Sequence, residues 1–159
     1  MKTLLIILLF FSLSSFRFRN CEVERVIDGD TFVCGGEKVR LIGIDCPEIE
    51  KNVRWKKQIK RIGNGKLVIA LGKKAKRYVE KLLKPGTKVR LELDIEQRDI
   101  LGRLLAYVWL PDGRMLNESL LEKGYATLLT MPPNVKYLER FEKAYNKANK
   151  RRNKTKFKM

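Results

Sequence analysis

Apolar and polar positions alternate along several short stretches of this chain, which is the pattern of β-strands with one buried face. The clearest alternation runs over 88–96, where valine, leucine and isoleucine occupy every second position. Asp28-Gly29-Asp30 is a turn signal between two such stretches and predicts a hairpin. Strands are predicted over residues 22–27, 31–33, 39–44, 88–96 and 104–110. Five strands of this kind suit a small antiparallel barrel.

Other stretches place apolar residues at the three- and four-residue spacing of an amphipathic helix. The first covers 70–83 and stops at a Lys-Pro-Gly sequence. Asn117 is predicted to cap a short helix that closes at Gly124, and Asn134 to cap a last helix. The predicted fold class is a β-barrel with helices (α+β), in which a five-stranded barrel packs with three α-helices.

Residues 49–68 lie between the third strand and the first helix and are predicted to form a strongly basic loop around Trp55. Lys and Arg beside an exposed aromatic ring suit single-stranded nucleic acid, because the indole can stack on a base. The alternative, at least as consistent with Trp55 alone, is a solvated loop whose indole packs against the domain.

The N-terminus has the pattern of an export signal. Lys2 is followed by an unbroken apolar run over 4–11 and then by small residues. Because the run is too short to span a bilayer comfortably, residues 1–20 are predicted to be a cleaved signal peptide, with an uncleaved membrane anchor as the alternative. Residues 21–146 are then the folded domain and 147–159 a basic tail that frays. The predicted localisation is exported, secreted or periplasmic.

The cysteines allow two interpretations. Cys21 and Cys34 flank the predicted hairpin and could face each other on adjacent strands. In an oxidising compartment they would form a disulfide and leave Cys46 as a free thiol. Three small buried residues are an equally good interpretation.

The net charge of the chain limits the possible classes of function more than its length does. The 35 Lys and Arg residues against 18 Asp and Glu residues give a formal charge of +17. Such an excess implies a polyanionic partner, with nucleic acid first and an anionic membrane surface second. The chain has no histidine, which excludes His-based triads and zinc fingers. Carboxylates, other titratable groups or bound water must carry any acid–base chemistry.

Acidic residues gather at the ends of two predicted strands, and hard oxygen ligands of this kind suit calcium or magnesium. Asp28 and Asp30 lie in the hairpin turn. Asp45 and Glu48 leave the third strand on either side of Pro47, which fixes the backbone between them. Asp-Gly turns and acidic strand ends are common, so neither pattern is specific by itself.

Arg40 and Arg103 have apolar neighbours in or beside predicted strands, and a charge there costs free energy unless it is paired. The simpler interpretation is a salt bridge with an acid of strand 88–96. The more specific interpretation is that the planar guanidinium group binds phosphate through two parallel hydrogen bonds. Arg40 and Asp45 are five positions apart and would face opposite sides of a regular strand, unless Gly43 marks a bulge.

Four segments in fixed order are more specific than any of these parts. They are DGDT at 28–31, VRLIGIDCPE at 39–48, DILGRLLAY at 99–107 and NESLLEKGYA at 117–126. Together they resemble the thermonuclease (staphylococcal nuclease-like) family, and the resemblance covers 21–146. It implies a five-stranded OB-fold barrel with three helices.

The resemblance also implies an activity. Members cut single-stranded DNA and RNA with little sequence preference and leave 3′-phosphate ends. Asp30, Asp45 and the backbone carbonyl of Cys46 would bind Ca²⁺, with Mg²⁺ less expected. Glu48 would orient or deprotonate the attacking water. Arg40 and Arg103 would bind the phosphate, and the protein is expected to be a monomer without an obligate protein partner.

Two regions depart from the family pattern. Leu101 stands where a tyrosine precedes the Gly-Arg pair, and the loop 128–133 lacks the tyrosines that contact the nucleotide. Base stacking and affinity are therefore expected to differ, although the acidic and arginine positions are filled. The alternatives are a non-catalytic OB-type module that binds nucleic acid and a membrane-tethered basic adhesin.

Overall fold

The computed structural model describes residues 18–156, with side chains described through Asn153. The apolar run of the predicted signal peptide lies outside the described residues. The strands are β1 (Phe18–Val26), β2 (Thr31–Cys34), β3 (Glu37–Leu41), β4 (Ile44–Asp45), β5 (Lys88–Glu92), β6 (Leu104–Trp109) and β7 (Thr127–Leu128). The helices are α1 (Val53–Ile62), α2 (Gly65–Leu82), α3 (Leu116–Glu122) and α4 (Leu138–Lys156).

Five strands close a barrel in the order β1-β2-β3-β6-β5, which confirms the predicted barrel. Neighbours run antiparallel except β3 and β6, which pair in parallel with Val39 opposite Leu104. The prediction of an antiparallel barrel is therefore wrong for this pair. The chain between β3 and β6 contains two helices and two strands, so it is long enough to cross over and return in the same direction.

The first strand reaches into the segment predicted as a signal peptide. β1 begins at Phe18 and pairs residue by residue with β5, from Phe18 opposite Glu92 to Glu22 opposite Lys88. Cys21 is joined to Cys34 of β2, with Cα atoms 5.8 Å apart. Of the two interpretations of the cysteines, the structure therefore supports the disulfide.

The core fills the barrel and the space between the barrel and its helices. Val39 and Leu41 of β3 and Ala106 and Val108 of β6 are fully buried, as expected for central strands that are covered on both faces. Phe141 brings α4 into the same core. Each large apolar side chain buried in this way contributes about 1.5–3 kcal/mol to folding.

Helix α1 corrects the prediction of a basic loop over 49–68, and it raises the number of helices from three to four. Asn52 and Asn64 cap α1 and α2 by accepting hydrogen bonds from backbone N–H groups. Trp55 joins the two helices, because its Nε1–H donates to the Gly65 carbonyl at 3.2 Å. The indole therefore packs on the domain, as the alternative interpretation held.

Two predicted helix caps are wrong. Asn117 lies inside α3, where its Oδ1 accepts from the Val108 N–H and its Nδ2 donates to the Ile42 carbonyl. Asn134 lies before α4 and binds both the N–H and the carbonyl of Glu96. Each side chain is buried and joins distant segments. Its amide group forms tertiary hydrogen bonds in place of the local bonds that a helix cap would make.

Helix α4 continues to Lys156 and so includes most of the segment that was predicted to fray. Over the part of the chain that the structure describes, no helix is long and apolar enough to cross a lipid bilayer.

Candidate active site

The turn between β1 and β2 is folded by its own acidic residues. Asp28 Oδ1 accepts a hydrogen bond from the Asp30 N–H at 2.9 Å. A Cβ on Gly29 would come within 2.8 Å of atoms of Cys46 and Ala75. Glycine therefore lets the turn pack closely against the chain that leaves β4, and this places Asp30 beside Cys46.

Asp30 is buried at this junction and only 3% exposed. Its Oδ2 accepts a hydrogen bond from the Cys46 N–H at 2.7 Å, and its Oδ1 forms an ion pair with Arg40. Burial alone would raise the pKa of Asp30, but the Arg40 charge and the Cys46 N–H outweigh it and lower that pKa. Burial and the adjacent Asp30 charge raise the pKa of Asp28 to about 7. Asp30 is therefore the firmly ionised member of the pair.

Arg40 lies in β3 with 2% of its surface exposed. A turn at Gly43, which has φ +79°, reverses the chain and brings Asp45 back toward Arg40. The Arg40 Nη2 lies 3.1 Å from the Ile44 carbonyl and 3.4 Å from Asp45 Oδ1. The turn, and not a bulge, thus resolves the five-residue spacing. The partners of Arg40 are Asp30 and Asp45 rather than acids of β5.

Helix α1 places three polar side chains against the exit from β4. Arg54 forms an ion pair with Asp45, and its Nε lies 3.0 Å from Glu48 Oε1. Gln58 Nε2 donates to Asp45 Oδ2 at 3.0 Å. Arg61 Nη2 lies 3.9 Å from the same oxygen. Asp45 is therefore surrounded by donors from one face of the helix.

Glu48 is held at both its backbone and its carboxylate. Its N–H donates to Gln58 Oε1 at 2.8 Å, and its Oε2 accepts from Asn52 Nδ2 at 2.7 Å. Its side chain is 12% exposed. The contacts with Asn52, Arg54 and Gln58 all come from α1 or its cap, so this helix sets the position of Glu48.

Arg103 precedes β6 and pairs with an acid of its own turn. Its Nε and Nη2 lie 2.7 and 2.6 Å from Asp99 Oδ2. Burial alone would raise the pKa of Asp99, but the hydrogen bonds from Arg103 outweigh it and lower that pKa.

Three of the predicted site residues line one cleft of about 380 Å³: Arg40, Asp45 and Arg103. The other lining residues are Arg54, Lys57, Gln58, Arg61, Leu129 and Met131. Five cations thus surround a single carboxylate at the surface of the cleft, which suits a phosphate group. Larger hollows among the described residues, of about 740, 690 and 460 Å³, contain none of the predicted site residues, so chemistry and not size locates this site.

Asp30, Asp45 and the Cys46 carbonyl supply oxygen atoms, which are the donors that hard divalent cations prefer. Asp30 and Asp45 share Arg40 as a partner, and the Cys46 carbonyl lies 3.0 Å from the amide nitrogen that also binds Asp45. In residues 18–156, no three His, Cys, Asp or Glu side chains form a ready metal cluster. The predicted set contains only two carboxylates and one carbonyl. Water and substrate oxygens would therefore have to complete the coordination shell, as is usual for such ions.

Sequence reasoning missed the contribution of α1. Arg54, Gln58 and Arg61 are spaced by four and three residues, which places them on one helix face. Asn52 before them and Gly63 after them are ordinary helix start and stop residues. These end signals could have revealed the helix even though its inner face is polar.

Comparisons with known proteins show which sequences this chain is similar to. A family model described as staphylococcal nuclease homologue matches residues 38–154. Thermonuclease of Staphylococcus intermedius is 41% identical over 133 residues, which cover 81% of this chain and 71% of that protein. Thermonuclease of Staphylococcus hyicus is 37% identical over 142 residues, with coverages of 87% and 76%. Endonuclease YncB of Bacillus subtilis (strain 168) is 35% identical over 128 residues, with coverages of 77% and 54%.

Proposed function

Because this chain belongs to the staphylococcal nuclease homologue family, we propose that it is a calcium-dependent endonuclease. It hydrolyses phosphodiester bonds of DNA and RNA with low sequence specificity, prefers single strands and leaves 3′-phosphate ends. The observation that carries this proposal is the meeting of Arg40, Asp45 and Arg103 in one cationic cleft. Relatives named as thermonucleases and endonucleases support it.

The two arginines bind the scissile phosphate. Arg40 is fixed by Asp30 and by the Ile44 carbonyl, and Arg103 is fixed by Asp99. Both guanidinium groups are therefore oriented before the substrate arrives. Preorganised cations of this kind stabilise the charge that develops on the phosphoryl oxygens without reorganising during the reaction.

Glu48 acts on the attacking water. The water gives a proton to the Glu48 carboxylate, its oxygen attacks the phosphorus, and the bond from phosphorus to the 5′-oxygen breaks. The leaving 5′-oxygen takes up a proton from solvent and becomes a hydroxyl, while the phosphate stays on the 3′-end. Arg54 and Asn52 hold the two carboxylate oxygens of Glu48, which limits the directions in which this base can point.

Asp30, Asp45 and the Cys46 carbonyl would hold the calcium ion. When bound, the ion would neutralise phosphate charge and bring water into the site. Magnesium demands near-ideal octahedral geometry, whereas calcium accepts irregular oxygen sets such as this one. The Arg54 guanidinium lies on Asp45 and Glu48, so it would have to yield part of its position to the ion.

The test is cleavage of denatured DNA and of RNA by the full chain, with calcium, with magnesium or with a chelator. We expect calcium-dependent cleavage that the chelator abolishes. Glu48→Gln should lose cleavage by about 100-fold or more, since a positioned base contributes 10²–10⁴-fold, while DNA binding is retained. Glu50→Gln, at an exposed carboxylate two positions away, is the matched control and should cleave normally. Cleavage at the wild-type rate by Glu48→Gln would contradict the role of Glu48.

The ends of the products are a separate test. A 5′-labelled oligonucleotide cut by the enzyme should give fragments whose mobility changes after treatment with a 3′-phosphatase. Fragments with 3′-hydroxyl ends would contradict the direction of cleavage proposed here.

A second candidate function is a non-catalytic module that binds nucleic acid. It is favoured by the donors from Arg54 and Gln58 that already occupy Asp45. Tight, salt-sensitive DNA binding without cleavage in any metal would support this alternative and make Asp30, Asp45 and Glu48 structural residues.

We also propose that the protein is exported and acts as a monomer. The Cys21–Cys34 disulfide supports export, because such bonds persist in oxidising compartments. Residues 1–20 would be the signal peptide or, alternatively, a membrane segment, and membrane contact would be limited to them. The domain would then extend over 21–146. N-terminal sequencing of the protein recovered from the culture medium tests the cleavage.

A further inference from the structure

Gln58 is a buried polar side chain for which the proposed reaction has no role. It lies on the inner face of α1 and is 5% exposed. Its Nε2 donates to Asp45 Oδ2 and to the Cys46 carbonyl, both at 3.0 Å. Its Oε1 accepts a hydrogen bond from the Glu48 N–H at 2.8 Å. One amide group thus binds the chain that leaves β4 at three residues.

The direction of this amide follows from what its neighbours can do. The Glu48 peptide N–H can only donate, whereas the Asp45 carboxylate and the Cys46 carbonyl can only accept. Rotating the Gln58 amide by a half-turn would set donor against donor and acceptor against acceptor at these contacts. A single orientation satisfies all of them, so Gln58 holds residues 45–48 in one arrangement.

We propose that Gln58 is a positioning residue for the metal site, which orients the Asp45 carboxylate and the Cys46 carbonyl toward the ion. The inference rests on the proposed function, which assigns both oxygens to the metal. Groups that hydrogen-bond to metal ligands fix the direction of those ligands, and losing one typically weakens metal binding 10- to 100-fold. Because Gln58 also binds the Glu48 N–H, the same amide sets the distance between the metal ligands and the base.

The position of Gln58 depends on where α1 begins and ends. The Asn52 side chain caps the first turn and also binds Glu48, and Gly63 ends the helix with a left-handed conformation. Burying the Gln58 amide is favourable only because each of its polar atoms has a partner. A helix with an apolar residue at this position could pack on the domain but could not orient the ligands.

The test is calcium binding, measured by isothermal titration calorimetry on the full chain after a chelator has removed bound metal. Gln58→Met keeps the length of the side chain and removes its donor and its acceptor. We expect its calcium dissociation constant to rise by about 10- to 100-fold. Lys56→Met, at an exposed position on the same helix, is the matched control and should bind calcium as the wild type does.

A second variant separates positioning from stability. Gln58→Ala also removes the amide, and alanine favours the helix, so α1 should persist. Thermal unfolding of each variant in chelator measures stability without metal. A dissociation constant that rises in both variants, at a temperature where both are folded, supports the proposal. A lower melting temperature with wild-type calcium affinity would mean a structural role alone and would overturn it.

Failure of the proposed function would look different from failure of this inference. A wild-type chain that neither binds calcium nor cleaves DNA contradicts the proposed function, and the role of Gln58 falls with it. Calcium-dependent cleavage by the wild type, together with unchanged calcium affinity in Gln58→Met, contradicts only the role of Gln58.

Discussion

Arg40 and Arg103 illustrate two ways in which one residue type can be prepared for phosphate. Arg40 is almost fully enclosed, and removing its partner Asp30 would leave the buried charge to the more distant Asp45, at a cost of up to about 5 kcal/mol. Substitutions at Arg40 therefore disturb folding and activity together. The Arg103 side chain is 19% exposed and pairs with Asp99 of its own turn. It is the better position at which to measure what a guanidinium contributes to catalysis.

Replacing Arg103 with lysine should not preserve activity. The ammonium group keeps the charge but cannot bind Asp99 and a phosphate oxygen through a fixed planar fork. We expect kcat/KM for single-stranded DNA to fall by about 100-fold or more, the scale seen when one oriented donor is lost. Arg114→Lys, at an exposed arginine that pairs with Asp112 of its own turn and does not line the cleft, is the control and should retain activity. Normal turnover by Arg103→Lys would exclude a requirement for two-point binding by the Arg103 guanidinium.

At the scale of elements, the sequence predicts the strands better than the helices. The barrel strands are short and their apolar positions alternate or run continuously, so each pattern is visible locally. Helix α1 was missed because Gln58 and Arg54 occupy positions on its inner face where an amphipathic helix normally has apolar residues. Asn117 was misassigned for a related reason, since a buried amide that binds β6 and the turn after β3 has the same residue type as a cap.

The sequence predicts which residues form the candidate site, but it does not predict the contacts among them. The order of the motifs points to Asp30, Arg40, Asp45, Glu48 and Arg103. The partners of these residues depend on the turn at Gly43 and on α1, and neither the path of that turn nor the contacts of α1 follow from local sequence patterns. The loop over 128–133 lacks the tyrosines of the family pattern. It contributes Leu129 and Met131 to the cleft instead.

The turn between β3 and β4 should be intolerant of a side chain. Gly43 has φ +79°, and a Cβ there would lie 2.6 Å from the ring of Phe141 in α4. Gly43→Ala should lower the free energy of unfolding by about 1–3 kcal/mol through overpacking alone, in addition to the backbone strain. Gly113→Ala is the matched control, because Gly113 has φ +82° and no atom within 4 Å of its Cβ position. Urea unfolding of both variants gives the difference between their free energies of unfolding. Equal decreases in the two variants would contradict the contact with Phe141.

At the scale of the whole molecule, positive charge is the dominant property. The formal charge is +17, and part of it is concentrated where Lys57 and Arg61 of α1 face the cleft. Such a field attracts any polyanion and is screened by salt. It explains affinity for nucleic acid in general, while the oriented residues of the cleft must account for cleavage.

Binding of single-stranded DNA should therefore weaken steeply as salt increases. The measurement uses Glu48→Gln in chelator, so that binding is observed without cleavage. The logarithm of the binding constant should fall linearly with that of the salt concentration, by about 0.7 for each phosphate contact. Adding Lys57→Met should make this slope shallower by about the amount that one phosphate contact contributes. Adding Lys81→Met, at an exposed position of α2 away from the cleft, should leave the slope unchanged; a shallower slope in both variants would contradict a strand path along α1.

The burial of Cys46 bears on how the chain matures. Three cysteines can pair in three ways, but Cys46 is enclosed beneath the β1–β2 turn, and burial raises the pKa of its thiol well above the usual value. A shielded, protonated thiol is a poor partner in thiol–disulfide exchange. If the barrel closes before oxidation, only the Cys21–Cys34 bond can form. An oxidant that acts before folding meets all three thiols, so the yield of active protein should depend on the order of these two events.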